Sequence, residues 1–463
     1  MPDDHHLKSH HFDLLLRGSV SSKRLLSRFF RHLLATCPSC EEEWQKYRDS
    51  KGPNRDKEAD GLEGSAIDAS SSGSSGGDPV DRVLRRLPRM MQEVERERLQ
   101  AKELLDELLS LPDMHDRVAR LRRSRRFRSW SLCELLFKES RRLSFQRPTD
   151  GETFAELAIE TAWNLEGGRY STAMISDLLA RGWAHLANAR RMGSDLVRAE
   201  ETMLMAYFFI EQGTGDPLVH AEVLSLEASL RRDQRLFTEA LRLLAGAVKI
   251  YSSSEESHLQ GRTLLQVGMI RDDMDQTESA IETLHQGLAM IDRERDPRLH
   301  LCFRHTLIFF VNQVGRSDQA AAMLDEDRPL YREFGDSWTL LRERWLEGYI
   351  AQGRGQAQEA EAAFREVRQG FLDQGLGYDA ALASLNLATT LFEAGKLGEI
   401  KILAGEMLPI FESRDVHREA IAALILFQKA AQMETLTLEL LRSFTRYLEQ
   451  ARNDARMRFE FPS

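Results

Sequence analysis

The sequence predicts an all-α chain whose larger part is a solenoid of helical hairpins, and three observations carry that expectation. Five segments between about residues 224 and 410 align without gaps at a period of 40, placing small or modest residues at Ala228, Gly268, Ile308, Gly348 and Ala388. The same alignment places Ala240, Ala280, Ala320, Ala360 and Ile400 twelve residues on, followed after four more by Leu244, Leu284, Leu324, Phe364 and Ala404. The composition agrees: 12 Pro in 463 residues, 8% aromatics and long stretches rich in Ala, Leu, Glu and Arg favour helix over sheet.

The N-terminal 48 residues come first, and a unit so small usually needs a metal or a partner to stay folded. In RHLLATCPSCEEEW, His32, Cys37 and Cys40 stand as H-x4-C-x2-C after a helical pattern of apolar residues. Two thiolates two residues apart can grip one Zn²⁺ at tetrahedral angles, and an imidazole about one turn earlier supplies a third ligand. His5, His6, His10 and His11 are all available for a fourth. The alternatives are a short apolar helix ending in free thiols, or a redox C-x-x-C, although no βαβ pattern surrounds the pair.

Residues 49–79, DSKGPNRDKEADGLEGSAIDASSSGSSGGDP, have almost no apolar side chains to offset the entropy of ordering, so the expectation is a disordered linker. Residues 80–126 read as long charged helices, with Val94, Leu105 and Leu108 at helical spacing and Pro112 as a stop. Between Asp113 and Arg147 eleven Arg or Lys face four Asp or Glu, which suits either a solvated helix face or a phosphate-binding surface. No DNA-binding motif accompanies this charge, and nucleic acid is the minor hypothesis.

Residues 127–452 hold the repeats. Helices at 127–166 and 435–452, which lack the signature, are expected to cap the array, and 453–463 form a tail. Within each hairpin a small residue on the first helix lets the second approach closely, and the bulky residue one turn on is expected to fill the gap to the next hairpin. Turns fall at Gly315-Arg316-Ser317-Asp318 and Gly395-Lys396-Leu397-Gly398. An earlier copy fits one residue out of phase through Ala187, Ala199 and Met203.

These residues resemble the tetratricopeptide repeat, best in EGYIAQGRGQAQEAEAAFREV, with a period of 40 rather than the usual length of about 34. The N-terminal motif resembles the zinc-binding motif of bacterial anti-sigma factors, with one extra residue between His32 and Cys37. The whole arrangement is similar to uncharacterised bacterial tetratricopeptide repeat proteins. That resemblance implies a concave groove lined by the first helices: Arg181, Asn188 and Arg191; Ser225, Ser229 and Arg232; Leu265, Met269 and Asp272; His305, Phe309 and Asn312; and Arg342, Trp345, Tyr349 and Gln352. Those proteins have no established activity to carry over, and the leading expectation is a non-enzymatic regulator or adaptor that holds a protein or peptide partner, with Zn as cofactor. A sigma factor or another transcription component would meet the zinc unit, and a pure scaffold, or a nucleic-acid-associated protein using residues 113–147, is the alternative.

Other functions find little support in the residues. No Walker-type loop, H-E-x-x-H, G-x-S-x-G or dinucleotide fingerprint occurs, so no enzymatic role is expected. A net charge of -10 argues against nucleic acid for the whole molecule. Four cysteines without a framework, no signal-peptide pattern and no apolar run of membrane-spanning length together predict a reducing, cytoplasmic setting.

Overall fold

The structure, a computed structural model, describes residues 95–144, 147–165, 170–193, 195–412 and 436–451, with Lys46, Phe427, Gln428, Ala431 and Phe459. His32, Cys37, Cys40 and the expected linker at 49–79 lie outside these residues. The described residues are helical throughout their ordered elements and contain no strand. They divide into two compact units, residues 1–138 with 157–170, and residues 139–156 with 171–463.

In the first unit, residues 95–109 are helical. α1 (Met114–Arg123) follows, opened by Asp113, whose carboxylate accepts the Asp116 N–H at 2.9 Å. α2 (Trp130–Ser144) and α3 (Pro148–Trp163) run through both units. Leu104, Leu108, Leu121, Phe127, Leu132 and Leu157 bury fully, and the buried Glu97 accepts hydrogen bonds from Ser129 Oγ at 2.9 Å and Tyr170 OH at 3.1 Å. The basic stretch finds counter-ions on helices outside it: Arg120 and Arg126 meet Glu107 at 2.5 and 3.3 Å, and Arg122 meets Glu160 at 2.7 Å. These are exposed pairs that contribute little to stability.

The second unit holds the repeats. α4 (Thr172–Met192) and α5 (Leu196–Glu211) form the first hairpin. Five more follow: α6 (Pro217–Asp233) with α7 (Phe237–Ser253), α8 (Ser257–Asp273) with α9 (Thr277–Leu288), α10 (Pro297–Gln313) with α11 (Ser317–Phe334), α12 (Ser337–Gly353) with α13 (Ala357–Asp373), and α14 (Gly377–Glu393) with α15 (Leu397–Glu412). α16 (Leu438–Ala451) packs on α14. From α6 onward the first helices begin at 217, 257, 297, 337 and 377, which is the period of 40 seen in the sequence.

A finer rhythm underlies that period. A residue with positive φ occurs every 20 positions, at Gly215, Arg235, Glu255 and Asp275, and again at Gly315, Gly335, Gly355, Gly375 and Gly395. It ends each helix in the left-handed conformation, and in seven of these turns the next N–H reaches back five residues to a carbonyl, as from Leu236 to Arg231 (2.8 Å) and Lys396 to Leu391 (2.8 Å). Two helices of about seventeen residues and two three-residue connections therefore make one repeat. The rhythm breaks once in the described array, where α9 stops at Leu288 and an Asx turn at Asp292, accepting from the Glu294 and Arg295 N–H groups, replaces the left-handed cap.

The small residues pack as the pattern requires, since Ala228, Ala240, Ala280, Ala320 and Ala360 have no exposed surface. The bulky residue shares its core cluster with the next hairpin, as expected, and does one thing more. A methyl at Gly268 would stand 2.9 Å from Leu284, and one at Gly348 only 2.6 Å from Phe364, so the bulky side chain lies over the small residue of its own hairpin. The missing Cβ makes room for it there, which is why small and bulky positions recur together.

Candidate functional site

Because the first helices α4, α6, α8, α10, α12 and α14 lie side by side, equivalent positions on them form rows. The sixth positions are Glu222, Arg262, Cys302 and Arg342; the ninth are Ser225, Leu265, His305 and Trp345; the thirteenth are Ser229, Met269, Phe309 and Tyr349. Side chains touch the next first helix at separations of 37 and 41 residues. These differ by four, one helical turn, so each side chain sits between two residues of its neighbour as a ridge sits in a groove.

At the α4 end the rungs are ionic. Arg181 Nε donates to Glu222 Oε2 at 2.8 Å, His185 Nε2 lies 3.0 Å from Glu222 Oε1, and Arg191 pairs with Asp233 while also donating to Asn188 Oδ1 at 3.0 Å. Arg232 reaches both oxygens of Asp273, at 2.5 and 3.3 Å. Gln266 bridges to the Ser225 carbonyl (3.1 Å) and Ser229 Oγ (2.8 Å), and Gln313 donates to Asp272 at 3.1 Å. Burial pushes Glu222 up, but Arg181, His185 and Arg141 together hold its carboxyl well below the usual range.

Toward α14 the rungs turn aromatic. Arg342 donates to His305 Nε2 at 3.2 Å, which leaves the Nδ1 proton of His305 for the Tyr331 hydroxyl at 2.9 Å. Burial, then the Arg342 charge, holds His305 well below its ordinary value, so it stays neutral. Trp345 is buried, donates to Asn386 Oδ1 at 2.9 Å and lies nearly parallel to Tyr349, with ring centres 6.1 Å apart. Tyr349 also donates to Asn386 (3.1 Å), and its ring meets Phe309 edge-on at 5.2 Å. Asn312 donates to the Tyr349 carbonyl at 3.0 Å.

The eleven residues Arg181, Asn188, Arg191, Arg232, Met269, His305, Phe309, Asn312, Arg342, Trp345 and Tyr349 thus all stand on the face formed by the first helices, three of them (Asn188, Arg191 and Trp345) buried and the rest half-buried. Five of them (Arg181, Arg191, Arg232, Trp345 and Tyr349) are joined through partners that sequence reasoning missed, Glu222, Asp233, Asp273 and Asn386, and Gln266 plays the same part for Ser225 and Ser229. The available signal was the sum of period and turn, since adding 37 or 41 to each expected residue finds Glu222, Gln266, Asp273 and Asn386. Outside the rows, α16 brings Glu449 toward Asp272 and Asp273; partial desolvation, then the charge of Asp272, pushes its carboxyl up to about 7 while the side chain stays exposed.

Cys133 is buried, with its thiol donating to the Ala158 carbonyl at 3.8 Å, and Cys302 is exposed. No group of three or more His, Cys, Asp or Glu among the described residues is placed to hold a metal, and no helix among them is long and apolar enough to cross a membrane.

No protein-family model matches the chain, and no curated protein matches it. Among solved structures, the chain is similar to aspartyl phosphate phosphatase F from Bacillus subtilis, at 13% identity and a TM-score of 0.46 over 89% of this chain and 95% of that one. It is also similar to a Rap protein complexed with competence and sporulation factor, at 14% identity and a TM-score of 0.52 over 69% of this chain and 87% of that one. The latter likeness, together with the 40-residue hairpins, shows a tandem helical-repeat fold.

Proposed function

We propose that the chain is a non-enzymatic regulator or adaptor that holds a protein or peptide partner on the face formed by its first helices. The observation that carries this is the continuous row structure from Arg181 to Tyr349, in which polar and aromatic side chains stay half-exposed yet fixed by their neighbours. Such pre-ordering lowers the entropy cost of gripping a ligand. The solved structure of similar fold is of a Rap protein complexed with competence and sporulation factor, and that complex supports a partner-binding role. Residues 1–48, with Zn²⁺ held by His32, Cys37 and Cys40, would provide a second contact, for which a sigma factor or another transcription component is the partner class. The setting this implies is the bacterial cytoplasm.

The test is capture of partners from the native cell by the full chain, followed by affinity measurements on Met269→Ala and Phe309→Ala. Both residues are half-buried, so each variant is expected to bind the captured partner about tenfold more weakly with little change in melting midpoint. Unchanged affinity in both variants would move the partner surface elsewhere.

A further inference from the structure

We propose that the open cleft beside Gly353 is a subsite for a primary carboxamide, the side chain of a glutamine carried by a bound partner. The cleft has a volume of about 670 Å³ and lies between two successive turns, residues 315–319 and 353–356, with Ser317 and Gly353 in its wall.

The repeats themselves provide the comparison. Forty residues earlier the counterparts of Asn312, Ser317 and Gly353 are Asp272, Thr277 and Gln313. There Thr277 Oγ1 donates to Asp272 Oδ1 at 2.7 Å, and the carboxamide of Gln313 donates to the same oxygen at 3.1 Å. At the later junction a glycine replaces the glutamine, and the polar groups beneath it are left unsatisfied. Among the described residues, Asn312 Oδ1 and Ser317 Oγ are both shielded from solvent and without a hydrogen-bond partner. Ser317 keeps only 6% of its surface, while Gly353 is exposed. A Cβ at Gly353 would stand 2.8 Å from Asn312 Oδ1 and closer still to Ser317 Oγ, so both unpaired atoms face the side-chain space that the glycine leaves. The other end of the Asn312 amide fixes its orientation, because Nδ2 donates to the Tyr349 carbonyl at 3.0 Å and the oxygen is the atom turned toward Gly353.

This pair selects its ligand. Asn312 Oδ1 can only accept, which turns away a carboxylate, whereas Ser317 Oγ can donate. Arg316 and Arg354 flank the cleft but are already paired, with Glu278 at 2.5 Å and with Asp318 at 2.9 Å, so no uncompensated charge favours an ion. A neutral carboxamide meets both needs. Its N–H donates to Asn312 Oδ1, as that of Gln313 does to Asp272, and its carbonyl accepts the Ser317 hydroxyl once that side chain turns about its one rotatable bond. Satisfying two buried groups that are otherwise unpaired gives a small polar ligand its net affinity. The subsite rests on the proposed function only for the identity of the molecule that carries the glutamine.

The experiment titrates the full chain with glutamine capped as its N-acetyl methylamide, and with the matching glutamate, by saturation-transfer difference NMR. The glutamine probe is expected to bind with a Kd on the order of 10 mM, and the glutamate probe at least about tenfold more weakly. Gly353→Gln supplies a tethered carboxamide where the preceding junction has one, and should abolish probe binding. Ser317→Ala removes an unpartnered hydroxyl, so it should weaken the probe about fivefold while melting no lower than the parent. That second variant decides the matter if Gly353→Gln does not fold. No saturation transfer in the parent, equal binding of the two probes, or undiminished binding by Ser317→Ala would overturn the subsite. Partner capture by a parent chain that ignores the glutamine probe would overturn it too, while leaving the proposed function standing.

Discussion

The hairpins α6–α9 and the hairpins α10–α15 share one backbone template and differ in almost everything attached to it. In the first set the left-handed turn residues are Arg235, Glu255 and Asp275; in the second they are Gly315, Gly335, Gly355, Gly375 and Gly395. The seams differ too, with ion pairs made by Asp233 (to Arg191 of α4) and Arg232 in the first and Phe309, Trp345, Tyr349 and Asn386 in the second. A non-glycine residue in the left-handed region costs about 1–2 kcal/mol, and the first set carries it three times without losing the 20-residue rhythm. Helix length and turn closure therefore fix the repeat, which leaves the seam chemistry free to vary along the face.

The largest effect that separates the two sets should come from their seams. Asp233→Ala strips the buried Arg191 of its counter-charge and is expected to cost about 3–5 kcal/mol by urea denaturation. The matched change in the second set, Asn386→Ala, leaves the Trp345 N–H without its acceptor and should cost about 1–3 kcal/mol. Equal losses would erase the contrast between ionic and aromatic seams.

Next come the small positions. Gly348→Ala meets the Phe364 ring at 2.6 Å, and about 1–3 kcal/mol of overpacking is expected, as for Ala320 or Ala360 replaced by leucine. Gly268→Ala meets a flexible Leu284 at 2.9 Å and should lose less, so thermal midpoints that rank the two glycines the other way would show that the hairpins are not packed alike.

The turns give smaller shifts of opposite sign. Arg235→Gly, Glu255→Gly and Asp275→Gly should each raise stability by roughly 0.5–1 kcal/mol after the entropy cost of glycine is subtracted, while Gly355→Ala, which has open space around it, should lower it by about 1 kcal/mol through backbone strain alone. Chemical denaturation of the four variants measures both signs.

The smallest effect concerns pH. The folded chain keeps Glu449 protonated up to about 7, above the value it has when unfolded, so it binds the more protons between about 4.5 and 7. Stability should therefore fall as pH rises through that window, by a modest amount because Glu449 is exposed, and Glu449→Gln should flatten the decline. A parent chain whose midpoint does not fall across the window more than that of the variant would place Glu449 away from Asp272 and Asp273.

The period and its register were legible in the sequence because one small and one bulky residue must recur wherever two helices cross closely. Ala240, Ala280, Ala320 and Ala360 announced the crossing, and all are buried. One partner of the bulky residue was not legible: Phe364 and Leu284 share a core with the next hairpin, as expected, but their close approach to Gly348 and Gly268 of their own hairpin shows only in three dimensions. The face was half legible. The expected side chains stand where the repeat template puts them, but Glu222 and Asn386 read as ordinary helix residues until the neighbouring helix supplies Arg181 and Trp345. Arg141 lies outside the repeats, and no periodicity points to it.

The 20-residue spacing of the turns also makes the array a ruler. Every rung is defined by a fixed offset to the next first helix, so excising forty residues from the start of one hairpin to the start of the next, such as 297–336, would bring α8 beside α12 in unchanged register. Leu265 and Met269 would then stand in the rows of Trp345 and Tyr349 across the new junction. The face would be shorter by one hairpin, so its length is set by how many such units the chain carries rather than by the chemistry of any one of them.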